Sequence, residues 1–247
     1  MIRVLALALT LLVSFAGGAT PIQGALQAED APRTGALCQV QFSGLFGVPR
    51  PEGGHAPSWF SISVTHLVEQ EAVETRLVGQ LKRFTSSGAL LALLASRLET
   101  AGAKVIRTRA SEEATTGIFI EDVLSIRLDL PACQQVNVTF CDRPLGVLGL
   151  RSTGVSPAEG ALEFFGVVRG VDGKTRTHQS LQVPILTSDS GHDVCKRLFD
   201  SALESGWLPV RPATDRWSPS RRQDARTLES TEIKLTASGW EIELVAG

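Results

Sequence analysis

The groups that could do chemistry in this 247-residue chain are few, and their spacing limits what they can do. His192, Asp193 and Cys195 lie within one helical turn of one another. At that spacing His192 and Cys195 share a helix face, as paired metal ligands do. A zinc site wants a third and a fourth ligand, and the sequence has no second compact His/Cys cluster. His192 and Asp193 therefore stand as isolated metal candidates, and no metal or other cofactor is expected. His66 with Glu69 and Glu71 reads as solvated charge at the end of a strand. His55 falls in a Gly/Pro loop and His178 in an exposed strand, neither beside a nucleophile. There is no Gly-x-Ser-x-Gly elbow, Walker loop or dinucleotide-binding glycine cluster. The carboxylates Asp189, Glu121, Asp122 and Glu69 remain as acid–base candidates. They would serve a hydrolase only by converging in a cleft.

Thr187-Ser188-Asp189-Ser190-Gly191 follows an apolar strand-like segment, and its Asp-Ser-Gly resembles the catalytic turn of aspartic proteases. That resemblance implies two carboxylates sharing a proton, one from each half of the chain. The matching place in the first half is Thr85-Ser86-Ser87-Gly88, which has no aspartate. The pair does not form, and Asp189 or Ser190 reads instead as a helix cap.

Two stretches offer contact surfaces. Val48–Ser58 is a loop of three prolines and two glycines that contains His55 and leads into Trp59. Loops of this kind on a rigid sheet often carry recognition. The second stretch, 211–226, holds Arg211, Arg216, Arg221, Arg222 and Arg226 around Trp217, with Asp215 and Asp224 interspersed, and reads as a solvated loop. The binding candidates are His55, Trp59, Arg216, Trp217, Arg221 and Arg222. Nucleic acid is not an expected partner: the formal charge is −2, the pI is about 6.1, and there is no Tyr.

Arg3, the uncharged apolar run Val4–Ala16, and the small residues Gly17, Gly18 and Ala19 read as a secretory signal. Cleavage is placed after Ala28, ahead of Glu29-Asp30, with Ala19 as the alternative. No later run is long and apolar enough to span a bilayer, so the mature chain is expected to be secreted or periplasmic. Export permits disulfides among Cys38, Cys133, Cys141 and Cys195. An extended segment separates Cys133 from Cys141 by roughly 26 Å, which favours Cys38–Cys133 and Cys141–Cys195.

The elements that would position these groups occur twice in similar order. Ser96-Arg97-Leu98-Glu99-Thr100-Ala101-Gly102 and Ser201-Ala202-Leu203-Glu204-Ser205-Gly206 each read as helix ends with a glycine stop, followed by a strand. Ahead of each lie alternating segments such as Trp59–Val68 and Leu162–Val171. The second copy ends on a hairpin, Glu232–Thr236 with Trp240–Val245. The expected fold is α+β: two pseudo-repeated units, 37–131 and 132–247, each a mainly antiparallel sheet with one covering helix, after a 1–28 signal and a 29–36 lead-in. With no coherent catalytic set, the expected function is a non-catalytic binding, scaffold or assembly role, with itself or another envelope protein as partner. A hydrolase with a site between the units, and a small-ligand carrier with a pocket between sheet and helix, are the alternatives.

Overall fold

The strand β7 (Thr115–Asp129) runs for 15 residues and ties the fold together. The sequence pattern reads as two strands, Ile118–Ile120 and Leu124–Leu130, the second alternating through Leu124, Ile126, Leu128 and Leu130, whereas the structure buries 118, 120, 123, 126 and 128 and leaves Leu124 half-buried. The chain is nevertheless continuous. Asp122 takes φ +57°, and two extra residues, one between Ile120 and Val123 opposite β1 and Leu124 opposite β4, shift the alternation to Val123 and back as bulges without ending the strand. Gly35 lies so close to this point that a Cβ on it would sit 2.0 Å from the Asp122 carbonyl carbon. Ahead of the bulges β7 lies between β1 (Ala36–Ser43) and β6 (Val105–Arg109). Beyond them β7 lies between β4 (Ser58–Val68) and β14 (Trp240–Ala246).

The structure, a computed structural model, describes residues 34–43, 48–49, 55–56, 58–81, 86–109, 115–130, 133, 135–153, 159–207, 209, 214–219 and 227–247. The proposed signal and most of the lead-in lie outside the described residues, as do Arg221 and Arg222. Two arms of one sheet extend from β7. One arm runs through β1, β8 (Gln135–Phe140), β13 (Thr227–Leu235) and β10 (Gly160–Arg169) to the edge strand β11 (Arg176–Ile185). The other carries the hairpin of β4 and β5 (Glu71–Leu81) on one side of β7. On its other side come β14, β9 (Leu145–Ser152) and β12 (Arg216–Trp217). Every pairing among the described strands is antiparallel, and the sheet curls into a half-barrel.

This architecture corrects the expected α+β pair of units. β1 pairs along its length with β8, from Cys38↔Phe140 to Ser43↔Gln135, and β7 pairs with β14. The two expected units thus share one sheet. Buried side chains from both halves, Val40 and Ile118 with Val138, Phe164 and Leu244 among them, form one contiguous core. The hairpin–helix order does occur twice, but alternation reports which face of a strand is buried, not which strand lies beside it. The expected terminal hairpin is corrected for the same reason. β13 pairs with β10 and β8, whereas β14 pairs with β7 and β9, so the corner at 236–239 carries the chain from one arm to the other. The Val48–Ser58 loop also contains a short ladder, β2 (Val48–Pro49) with β3 (His55–Ala56).

Among the described residues two helices pack against this sheet. In α1 (Ser87–Thr100), Leu90, Leu91, Leu94 and Leu98 are buried, the apolar stripe that its sequence spacing predicts. The Ser86 hydroxyl accepts from the Ala89 N–H at 3.1 Å, and Gly102 at φ +88° follows the last turn. In α2 (Gly191–Glu204), Ser190 and Asp193 form a reciprocal capping box. Its first residue must be glycine, because a Cβ there would lie 1.9 Å from the Leu150 carbonyl oxygen. α1 lies on β7, β1, β6 and β5, and α2 on β11, β9 and β12. Phe164 and two tryptophans fill the space behind α2: Trp207 and Trp217 meet the Phe164 ring edge-on at 5.9 and 5.2 Å. No helix among the described residues is long and apolar enough to cross a membrane.

Candidate binding groove

Leu162, Phe164 and Val168 of β10 are buried, so the alternate residues Phe165, Val167 and Arg169 point outward. Register places neighbours beside them. Phe165 lies between Ser180 and Glu232, with Thr139 beyond Glu232, and Val167 lies between His178 and Ser230. These side chains line two adjoining cavities on the outer face of the β8–β13–β10–β11 arm, of about 500 and 540 Å³, which share Val167, His178 and Ser230. A bulge contributes to the shape. The β10–β13 register shifts between Val167 and Val168, leaving Glu229 as the extra residue. Glu229 pairs with Arg169 and with Arg176, the latter at 2.9 Å, which ties β13 to β10 and β11 at this end. At the other end Asn137 donates to Glu232 at 2.8 Å and Lys234 pairs with Glu163 at 3.3 Å.

The groove floor is apolar at Phe165 and Val167, and its flanks are hydroxyls, an imidazole and carboxylates. Apolar area with a few oriented polar groups is the usual make-up of a ligand site. Cys141 reaches the groove as a thiol whose pKa burial and Asp142 push up. That thiol is a weak nucleophile at neutral pH. A third cavity, about 560 Å³, adjoins the start of α1 and is lined by neutral groups, among them Gln41, Thr115, Gln135 and Asn137. The expected pocket between sheet and helix is largely filled: Leu91, Leu94, Val194 and Leu198 are fully buried there.

A ladder of charged side chains lies on the other arm. Asp129 of β7 stands opposite Glu241 of β14. Burial, and then the Glu241 charge, raise the Asp129 pKa. Arg127 contacts both Glu241 (3.5 Å) and Glu243 (2.8 Å), and Arg216 reaches Glu243 at 2.7 Å. Burial pushes the Glu243 pKa up, but Arg127 and Arg216 outweigh it and hold the carboxyl below its ordinary value. Arg151 holds Asp215 down in the same way against its partial burial. Two carboxylates of opposite tendency are the raw material of acid–base catalysis. This ladder, however, encloses no water-sized cavity beside Glu241 and Glu243.

The residues singled out from sequence are dispersed. Asp189 accepts from the Leu186 N–H at 2.7 Å and pairs with Arg197, so it braces the turn before α2, while Ser190 is the cap. Glu121 pairs with Lys104 at 3.4 Å, and Asp122 is the exposed bulge residue. His192 Nδ1 contacts the Thr214 carbonyl at 2.7 Å, and Asp193 belongs to the capping box. No group of three His, Cys, Asp or Glu residues among the described residues is placed to hold a metal ion. Trp59 is 66% exposed, whereas Trp217 is 1% exposed and belongs to the core. His55 lies in the β2–β3 ladder. All four cysteines are free thiols. The pairing Cys38–Cys133 is not formed, because Cys133 donates to the Gln135 and Ser43 carbonyls at the far end of β1 from Cys38. Cys195 is buried in α2, also unpaired.

Phe165, Val167, Ser180 and Ser230 were not singled out from sequence. The signal available was Leu162-Glu-Phe-Phe-Gly-Val-Val-Arg169, where both phases of the alternation are apolar. Compared with family models, with curated proteins and with solved structures, the chain matches none.

Proposed function

We propose that the protein is an exported, non-catalytic binding protein whose ligand lies along the β8–β13–β10–β11 groove. The observation that carries this reading is the Phe165–Val167 floor, an apolar strip turned outward between hydrogen-bonding side chains in a concave surface. A sheet face that meets only water would read polar at these positions. The ligand is elongated and amphipathic, with an apolar side on Phe165 and Val167 and polar groups toward His178, Ser180 and Ser230. Export rests on Arg3 with the apolar run 4–16. The candidate carboxylates support no hydrolase, since Asp189 and Glu121 are each engaged in a local ion pair.

The test is photocrosslinking in the source cell. A benzophenone amino acid replaces Phe165 in one strain and the exposed Lys196 of α2 in another. The expected result is a discrete adduct in the exported fraction at position 165 only, lost in Val167→Arg. Equal adducts at both positions, or one at 165 that survives Val167→Arg, would refute the groove.

A further inference from the structure

The hairpin of β4 and β5 leaves one side of β5 unpaired among the described residues: β5 bonds to β4 and to no other described strand. This edge is 11 residues long, with no proline, no lysine and no register shift along the hairpin. Proteins usually protect long edges with one of those devices. The other described edges are protected. β11 carries Pro184, β6 is five residues long and β12 two.

Which groups β5 offers follows from its turn. Glu69 and Gln70 both have positive φ, 51° and 72°, and Val68 faces Glu71. In such a two-residue turn the flanking pair exchanges both hydrogen bonds. Counting from Glu71, the backbone groups of Val73, Thr75 and Leu77 face β4, and those of Ala72, Glu74, Arg76 and Val78 face the open edge. An antiparallel partner must match these outward positions with its own.

We propose that β5 pairs with β5 of a second copy of this chain across a two-fold axis at Thr75. In that register Glu74 opposes Arg76 of the second copy, and Arg76 opposes its Glu74. Ala72 opposes Val78, and Val73 opposes Leu77. Every residue with outward-facing backbone groups from 72 to 78 then finds a hydrogen-bonding mate, and both charge pairs are opposite in sign, the arrangement that stabilises neighbouring strands. A two-fold axis makes a patch meet itself, so self-complementarity identifies the partner. Shifting the axis to Glu74 or to Arg76 keeps the hydrogen bonding but sets that charge against itself. Glu74 and Arg76 are both exposed, and Arg76 spends only its Nε–H on Ser61 Oγ at 3.3 Å. Val78, 51% exposed, is partly covered by the pairing. The interface is on different strands from the groove and does not depend on it.

The test is charge exchange, read by sedimentation of the purified protein. The wild type is expected to dimerise. Glu74→Arg and Arg76→Glu each place two like-charged pairs across the axis and should weaken the dimer about tenfold or more. An equimolar mixture of the two variants should restore dimer as a heterodimer, because each charge again meets its opposite, and the double exchange in one chain should restore the homodimer. Mixing also separates interface from fold, since a misfolded variant would not be rescued by the other. A wild type that stays monomeric at every concentration, as it would if β5 served a strand of another protein, overturns the proposal. So does a dimer indifferent to both reversals, or a mixture that fails to restore it.

Discussion

Trp217 tests the fold most directly, because sequence puts it in a solvated basic loop and the structure puts it in the core. It lies in β12, opposite Leu148 of β9, 1% exposed, with its ring 5.2 Å from Phe164 at 82°. A buried tryptophan removes about 150–250 Å² from water, which at about 25 cal/mol per Å² stabilises by about 4–6 kcal/mol. Trp→Ala changes in cores fall at about 3–5 kcal/mol, since neighbours relax only partly into the space. One term runs the other way: its Nε1–H has no protein acceptor, and a buried donor without one costs about 1–3 kcal/mol. Trp217→Phe keeps a ring against Phe164 and removes that donor, so its net effect should stay within about 1.5 kcal/mol. The expected order is thus a loss of about 3–5 kcal/mol for Trp217→Ala and far less for Trp217→Phe. In a chain of this size that is a melting shift of about 2–4 °C per kcal/mol. Urea unfolding followed by far-ultraviolet circular dichroism gives both values. A Trp217→Ala protein within about 0.5 kcal/mol of wild type, the range of an ordinary surface change, would refute the placement of β12 and the seating of α2.

Two other perturbations probe the fold elsewhere. Gly191→Ala drives a methyl to within 1.9 Å of the Leu150 carbonyl oxygen, so α2 must lift from β9, with an expected loss of about 3 kcal/mol. Gly88→Ala, whose nearest obstacle is the Thr115 carbonyl oxygen at 2.8 Å, should lose less, and equal losses in thermal melts would contradict the closer contact at α2. The second perturbation is acid. His66 is fully buried, with Nε2 3.1 Å from the Thr75 hydroxyl. Burial lowers its pKa below the ordinary 6.5, so the unfolded chain takes up the proton first. Stability should therefore be full above pH 6.5 and decline as pH falls below it, before the carboxylates near 4 begin to titrate. His66→Gln should flatten that decline in urea titrations between pH 8 and 5. An unchanged slope would place the pH dependence elsewhere.

Local structure was legible because its causes are local. The leucines at 90, 91, 94 and 98 mark one face of α1 whatever the helix packs on, and Ser190 with Asp193 caps α2 using only its own first turn. The strands β4 and β10 show their buried faces through alternation. Partners are set by the whole chain. Nothing in Cys38–Ser43 indicates that it will pair with 135–140 across the expected boundary, or that the corner after Leu235 will pass between arms instead of closing a hairpin. Asp122 hides the continuity of β7 because a bulge imitates, in pattern, the end of one strand and the start of another.

The site was less legible for a related reason. Reactive residue types draw attention, and here they are consumed by structure: Asp189 by Leu186 and Arg197, Asp193 by Ser190, and His192 by Thr214. The groove is instead marked by ordinary residues in an unusual direction, Phe165 and Val167 facing out. That direction follows from the burial of Phe164 and Val168, with Phe164 under Trp207 and Trp217, contacts that bring together residues far apart in the chain. Core and groove are therefore two faces of one strand. Substituting Phe164 should perturb stability and ligand contact together, whereas Val167→Arg should remove ligand contact alone.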